Sequence, residues 1–167
     1  MTATVTLPQP ATRLPDVLGT RFIPAHDNWM ADSDRFLLPV TNADATFWER
    51  WGAVRFVEDR LLERVSLERA LLDELRAFLP AEIKERLWLQ ADRLSRLLGD
   101  FGRLGRQRES ARELAHVTRN LIDALRLWYA EIEFAAGGIR WSDVSGEGHR
   151  LLAELNPTRC GWADAHM

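Results

Sequence analysis

Glu113 and His116 stand three residues apart in a stretch with helical periodicity. On a helix that spacing puts a carboxylate and an imidazole on one face, as in the carboxylate-bridged di-metal sites of four-helix bundles. Asn120 and Asp123 continue the face, and Glu58 and Glu68 fall at polar gaps in the apolar stripe of an earlier helix, where they are candidate inward carboxylates. Such bundles use two Glu-x-x-His elements and this chain holds one, so a homodimer would have to supply the other. Glu113 also occupies the N3 place of a predicted capping box that starts at Ser110. Glu58 and Glu68 have Arg55, Arg64 and Arg69 nearby as ion-pair partners. A metal pair at Glu113 and His116 therefore stays an alternative, and the expectation for cofactors is none.

A second constellation is basic. Arg93, Arg96, Arg103, Arg106, Arg108 and Arg112 face only Asp100 and Glu109 in the same stretch. Arginines around a loop at a helix N-terminus suit phosphate oxygens. Nucleic-acid binders carry a broader basic footprint and a recognisable module, and this chain has a net charge of −3. Nucleic acid is therefore a secondary alternative, and Arg103, Arg106 and Arg108 read better as the charged rim of a protein interface.

The remaining signals carry no chemistry. Gly99, Gly102 and Gly105 lack the preceding strand and the lysine of a phosphate loop, and read as a turn. His26 and Asp27 have no serine or cysteine nucleophile to serve. The single cysteine, Cys160, excludes an intrachain disulfide and fits a reducing compartment. The N-terminus has neither the basic start nor the apolar core of a secretory signal. No run approaches the roughly 18 apolar residues of a membrane span. A cytoplasmic protein of bacterial type is expected.

These residues need elements to position them, and the elements are helices. From Asp44 to Ala136 the chain holds one proline and four glycines, while the flanks hold the other six of each. A long helix should start at Thr46, where Thr46 and Glu49 form a capping box, and continue to Pro80 along a stripe that includes Phe47, Trp51, Val54, Leu61 and Val65. A second should run from Pro80 to Leu98, with a loop over Gly99–Gly105. A third should start at Ser110 and end at Gly137, and a short fourth should span Glu147–Leu155. The expected fold is all-α: a bundle of three main helices plus a short C-terminal helix, with no convincing strand.

Residues 1–43 and 137–167 are expected as extended, irregular arms flanking the helical body at 44–136. Prolines at 8, 10, 15, 24 and 39 argue against a long helix in the first arm. Both arms are nevertheless rich in large apolar residues, unlike a disordered linker, so they should dock either on the bundle or on a partner. The leading functional expectation is a non-catalytic helical subunit or regulator that binds another protein or a multi-subunit complex through its helices and arms. Trp29, Phe36, Trp141 and Trp162 are the expected arm anchors, because aromatic side chains dominate interface energetics.

Overall fold

The computed structural model of the chain describes residues 26–107 and 110–155, with side chains from Trp29 onward. Five helices account for most of these residues, and there is no β-strand among them. Helix α1 is His26–Leu37, followed by a 3₁₀ turn at Leu38–Thr41. Helix α2 runs from Phe47 to Leu75 and includes one wide π turn, Val57–Leu61. Helices α3 (Ala81–Gly105) and α4 (Ala111–Ala136) form a long hairpin, and α5 (Gly146–Leu155) closes the described chain.

Side-chain contacts fix the topology. Asp32 pairs with Arg60 at 2.9 Å and Phe36 stacks on Phe56 at 5.1 Å, so α1 runs antiparallel to α2. Trp29 meets Tyr129 and Asp34 meets Arg126, so α1 is also antiparallel to α4. Arg69 pairs with Asp92 while Gly105 abuts Val54, and Arg86 pairs with Glu131 while Leu104 lies by Val117, so α3 is antiparallel to both α2 and α4. The result is an up-down-up-down four-helix bundle. Helix α5 packs on the later part of α2, where Ser145 donates to Glu74 at 2.8 Å.

The helix ends show which local signals were sufficient. At Thr46 the expected capping box forms: the Glu49 amide donates to Thr46 Oγ1 at 3.1 Å, and the Thr46 amide donates to Glu49 Oε1 at 2.9 Å. At Ser110 it does not. Thr46 is extended (ψ 164°), which aims its oxygen at the N3 amide, whereas Ser110 has ψ 24° and donates instead to Gln107 Oε1. Glu113 is thereby released from the capping duty that its spacing implied.

Two expectations are corrected. The loop expected at Gly99–Gly105 is helix, because Phe101 and Leu104 continue the apolar stripe of α3 and are 0% and 2% exposed. Burying them outweighs a glycine cost of about 1 kcal/mol each. Gly105 has its own reason: a Cβ there would stand 2.7 Å from Val54 Cγ2, so the glycine lets α3 end against α2. The N-terminal arm is likewise not irregular throughout. Pro24 and Pro39 bracket α1 rather than forbid it, and Trp29, Ser33 and Leu37 form its buried stripe at steps of four. Masked from view by its short length and polar half, α1 supplies the fourth helix of the bundle.

The described parts of both arms dock on the chain's own body. Trp29, Leu37, Val40, Ile139 and Val144 all belong to one continuous core with Leu71, Leu94, Phe101 and Trp128. Inside that core lies a polar group of side chains. Tyr129 donates to Glu68 Oε1 at 3.4 Å, its ring meets Trp29 edge-on at 4.8 Å, and Arg64 lies over the Trp29 ring. Glu68 is thus the inward carboxylate that the sequence suggested, whereas Glu58 faces out and pairs with Arg106. Burial, followed by the neighbouring Glu68 carboxyl, pushes the Tyr129 hydroxyl well above its ordinary pKa of 10.0.

Two tests follow. Tyr129 keeps its proton in the folded state to higher pH than in the unfolded chain, so its contribution is intact below pH 10.0 and is lost as pH rises past that value. It is the only tyrosine, so ultraviolet absorbance of tyrosinate reports it alone. Ionisation should coincide with unfolding seen by circular dichroism; ionisation of the intact fold near pH 10.0 would contradict the burial argument. In α2, deleting Asp59 from the π turn should leave cooperative thermal unfolding in place, because the wide turn holds one residue more than a regular turn and can close to α geometry with the flanking halves still in phase; loss of cooperativity would contradict that reading. Asp59→Ala removes only an exposed ion pair with Arg55 and should change stability by about 0.5 kcal/mol or less.

Candidate functional site

The first turn of α2 is exposed all round, and on the second turn Trp51 faces outward. Packing on α2 starts at Gly52, which lies against Phe36, and becomes full burial at Ala53 and Val54, where Gly105 of α3 abuts the helix. Upstream of that level there is little to cover the side chains. Phe47 is 56% exposed, Trp48 75% and Trp51 49%. Phe47 joins the three rings: Phe47 and Trp48 pack edge-on with centroids 5.3 Å apart, and Phe47 and Trp51 lie nearly parallel at 6.4 Å. Arg55 extends the group by placing its guanidinium 5.9 Å from the Trp51 ring centre. Leu38, in the turn after α1, is also half exposed.

This cluster was misread from the sequence, where Phe47 and Trp51 belong to the core stripe. A usable signal was present. Thr46 is the N-cap, so the aromatics occupy positions N1, N2 and N5, and a first turn has neighbours only if the adjacent helices extend as far. Three large rings within five residues also cover more of the helix circumference than one buried stripe can accept.

The expected arm anchors are placed differently. Trp29 is 6% exposed and belongs to the core, so it is closed to a partner while the fold persists. Phe36 is half-buried against Phe56, and Trp141 is half-buried with its ring stacked on His149 at 4.3 Å. Trp162 and Arg108 lie outside the described residues. Arg103 and Arg106 are exposed, the first 3.7 Å from Asp100 and the second paired with Glu58.

A cleft of about 520 Å³ brings two separately predicted groups together. It lies between the last turns of α3 and the first turns of α4, over a floor of Leu104 and Val117. Arg103 comes from the basic cluster, Glu113 and His116 from the Glu-x-x-His pair, and Arg112, Arg119 and Asp100 complete the rim. The reason is the hairpin itself: antiparallel helices set the end of one beside the start of the next. His116 Nε2 is 3.3 Å from the Asn120 amide, and Arg119 donates to the Thr41 carbonyl at 2.9 Å. No three His, Cys, Asp or Glu side chains cluster as metal ligands among the described residues, so Glu113 and His116 have no third donor of that kind beside them. No helix among the described residues is long and apolar enough to cross a membrane. No family model matches this sequence, and neither a curated protein nor a solved structure matches it.

Proposed function

We propose that the chain is a non-catalytic helical subunit or regulator that docks on another protein through the aromatic end of α2. The observation that supports this reading is the contiguous exposure of Phe47, Trp48 and Trp51. Tryptophan and other aromatic residues are the side chains that interfaces bury at their energetic centres. Isolated exposed apolar residues are ordinary on a soluble surface, but three rings joined through Phe47 beside an arginine are not scattered. Preorganisation favours the same use, since rings that already rest on one another lose little rotamer freedom on binding. The rim is mixed in charge, with Glu49, Arg50 and Arg55 on the same turns of α2.

The site differs from the one expected of the arms. Trp29 and Leu37 hold the bundle together, and the chain's adhesive surface is the overhanging helix end. A partner with an apolar groove of helix width could take such an end by the helix-in-groove mode.

Native mass spectrometry of protein purified gently from its own host tests this. A second polypeptide at fixed stoichiometry is expected, and Trp48→Asp with Trp51→Asp should release it while thermal stability changes by about 0.5 kcal/mol or less, as for exposed sites. Release is expected to cost at least about 2 kcal/mol, the level of an interface hot spot. A lone monomer in the wild type, or a complex indifferent to both substitutions, would overturn the reading.

A further inference from the structure

We propose that the cleft between α3 and α4 is a binding site for a small phosphorylated ligand that also carries hydroxyl groups. Its volume, about 520 Å³, falls in the range that small-molecule sites occupy. Arg103, Arg112 and Arg119 line it together with His116. Guanidinium presents paired donors that match phosphate oxygens in a bidentate fashion.

The state of each group decides what remains for a ligand. Arg119 is held by the Thr41 carbonyl, which fixes its direction, and Arg103 lies at the edge of pairing distance from Asp100. Arg112 has no hydrogen-bond or ion-pair partner among the described residues, and neither does Glu113. Both stand on the first turn of α4, which has no side-chain cap because the Ser110 hydroxyl is turned to Gln107. The amides of that turn add a favourable field for an anion already drawn by the arginines.

The two carboxylates select the class of anion. Asp100 and Glu113 within the same cleft would repel a long polyanion laid across it, and Arg106 beside it is committed to Glu58. Among the described residues the arginines of the cleft are interrupted by acids, in a chain of net charge −3, and do not form the continuous track that a nucleic-acid backbone needs. A compact phosphomonoester fits: its dianion meets the guanidiniums, and its hydroxyls donate to the carboxylates. Sugar phosphates and nucleoside monophosphates have this chemistry.

Titration calorimetry and amide chemical-shift mapping on the full chain, with inorganic phosphate and ribose 5-phosphate as probes, test the assignment. Saturable binding of ribose 5-phosphate is expected, tighter than that of inorganic phosphate, with shifts centred on α4 residues 111–119. Arg112→Glu and Arg112→Gln should each weaken it about tenfold or more, as loss of a charge-assisted contact does. Glu113→Gln should weaken ribose 5-phosphate and leave inorganic phosphate unchanged or tighter. Arg140→Glu, beyond the opposite end of α4 and about 39 Å away along it, should change nothing. Helix content and thermal midpoint confirm that each variant is folded. The proposal is overturned by no saturable binding up to about 10 mM, by equal affinity for the two probes, or by indifference to both Arg112 substitutions. It is also overturned by a single-stranded oligonucleotide that displaces the probe with a steep salt dependence, which would assign the cleft to nucleic acid.

Discussion

The bundle depends on the phase of α2. From Ala53 onward this one helix presents buried side chains to α1 and α3 and then to α5, and Glu68 meets Tyr129 of α4. Its core residues Ala53, Val57, Leu61 and Val65 recur at strict steps of four. On a regular helix each such step drifts by about 40°, so three of them carry the apolar face about 120° around the axis. The π turn at Val57–Leu61, where the Leu62 amide reaches back to the Val57 carbonyl, inserts one extra residue and returns about 100° of that drift. Beyond it Glu68, Leu72, Leu75 and Leu79 follow on ordinary steps of three and four. Without that wide turn, one half of α2 would face the core and the other half would turn partly to solvent.

The same turn arranges the polar side of the helix. Arg60 reaches Asp32 on α1 and Glu58 reaches Arg106 at the end of α3, so both neighbours are tied to the π segment from opposite sides. Each exposed pair contributes little on its own. Their joint effect is directional: they seat α1 and α3 at the level where the core begins, and so determine how much of α2 overhangs. The exposure of Phe47, Trp48 and Trp51 is a consequence of that level. Were α3 or α1 one turn longer at this end, part of the aromatic cluster would be covered.

The buried polar group around Glu68 shows the opposite economy. Removing Glu68 or Tyr129 from water is costly unless each is hydrogen-bonded, and the contact between them lies beside the Trp29 ring and Arg64. That group joins α1, α2 and α4 at one height in the core. A polar contact of this kind admits fewer alternative registers than apolar packing alone, because a slipped register would leave its members unpaired. Trp128 offers a smaller contrast: its ring is fully buried, yet its Nε1 finds no acceptor among the described residues, so packing alone holds it.

How much of this was legible in the chain depends on the range of the interaction. The all-α class, the Thr46 capping box, the break at Pro80, the helix over residues 111–136 and the short one ending at Leu155 follow from local chemistry: side-chain caps, proline geometry and a three-to-four apolar period. Glu68 as an inward carboxylate was also visible, as a polar gap in an apolar stripe. Failures came where distant residues decided the outcome. Phe101 and Leu104 kept α3 helical through its glycines because α2 and α4 bury them, and α1 formed between its prolines because Trp29 had a core to enter. Ser110 has a backbone that is not extended and gives its hydroxyl to Gln107, which no residue-type pattern encodes. Which aromatics are core and which are surface, and the meeting of Arg103 with Glu113 and His116 in one cleft, were settled by where neighbouring helices end. Sequence spacing states which residues share a helix face; only the assembled bundle states what that face meets.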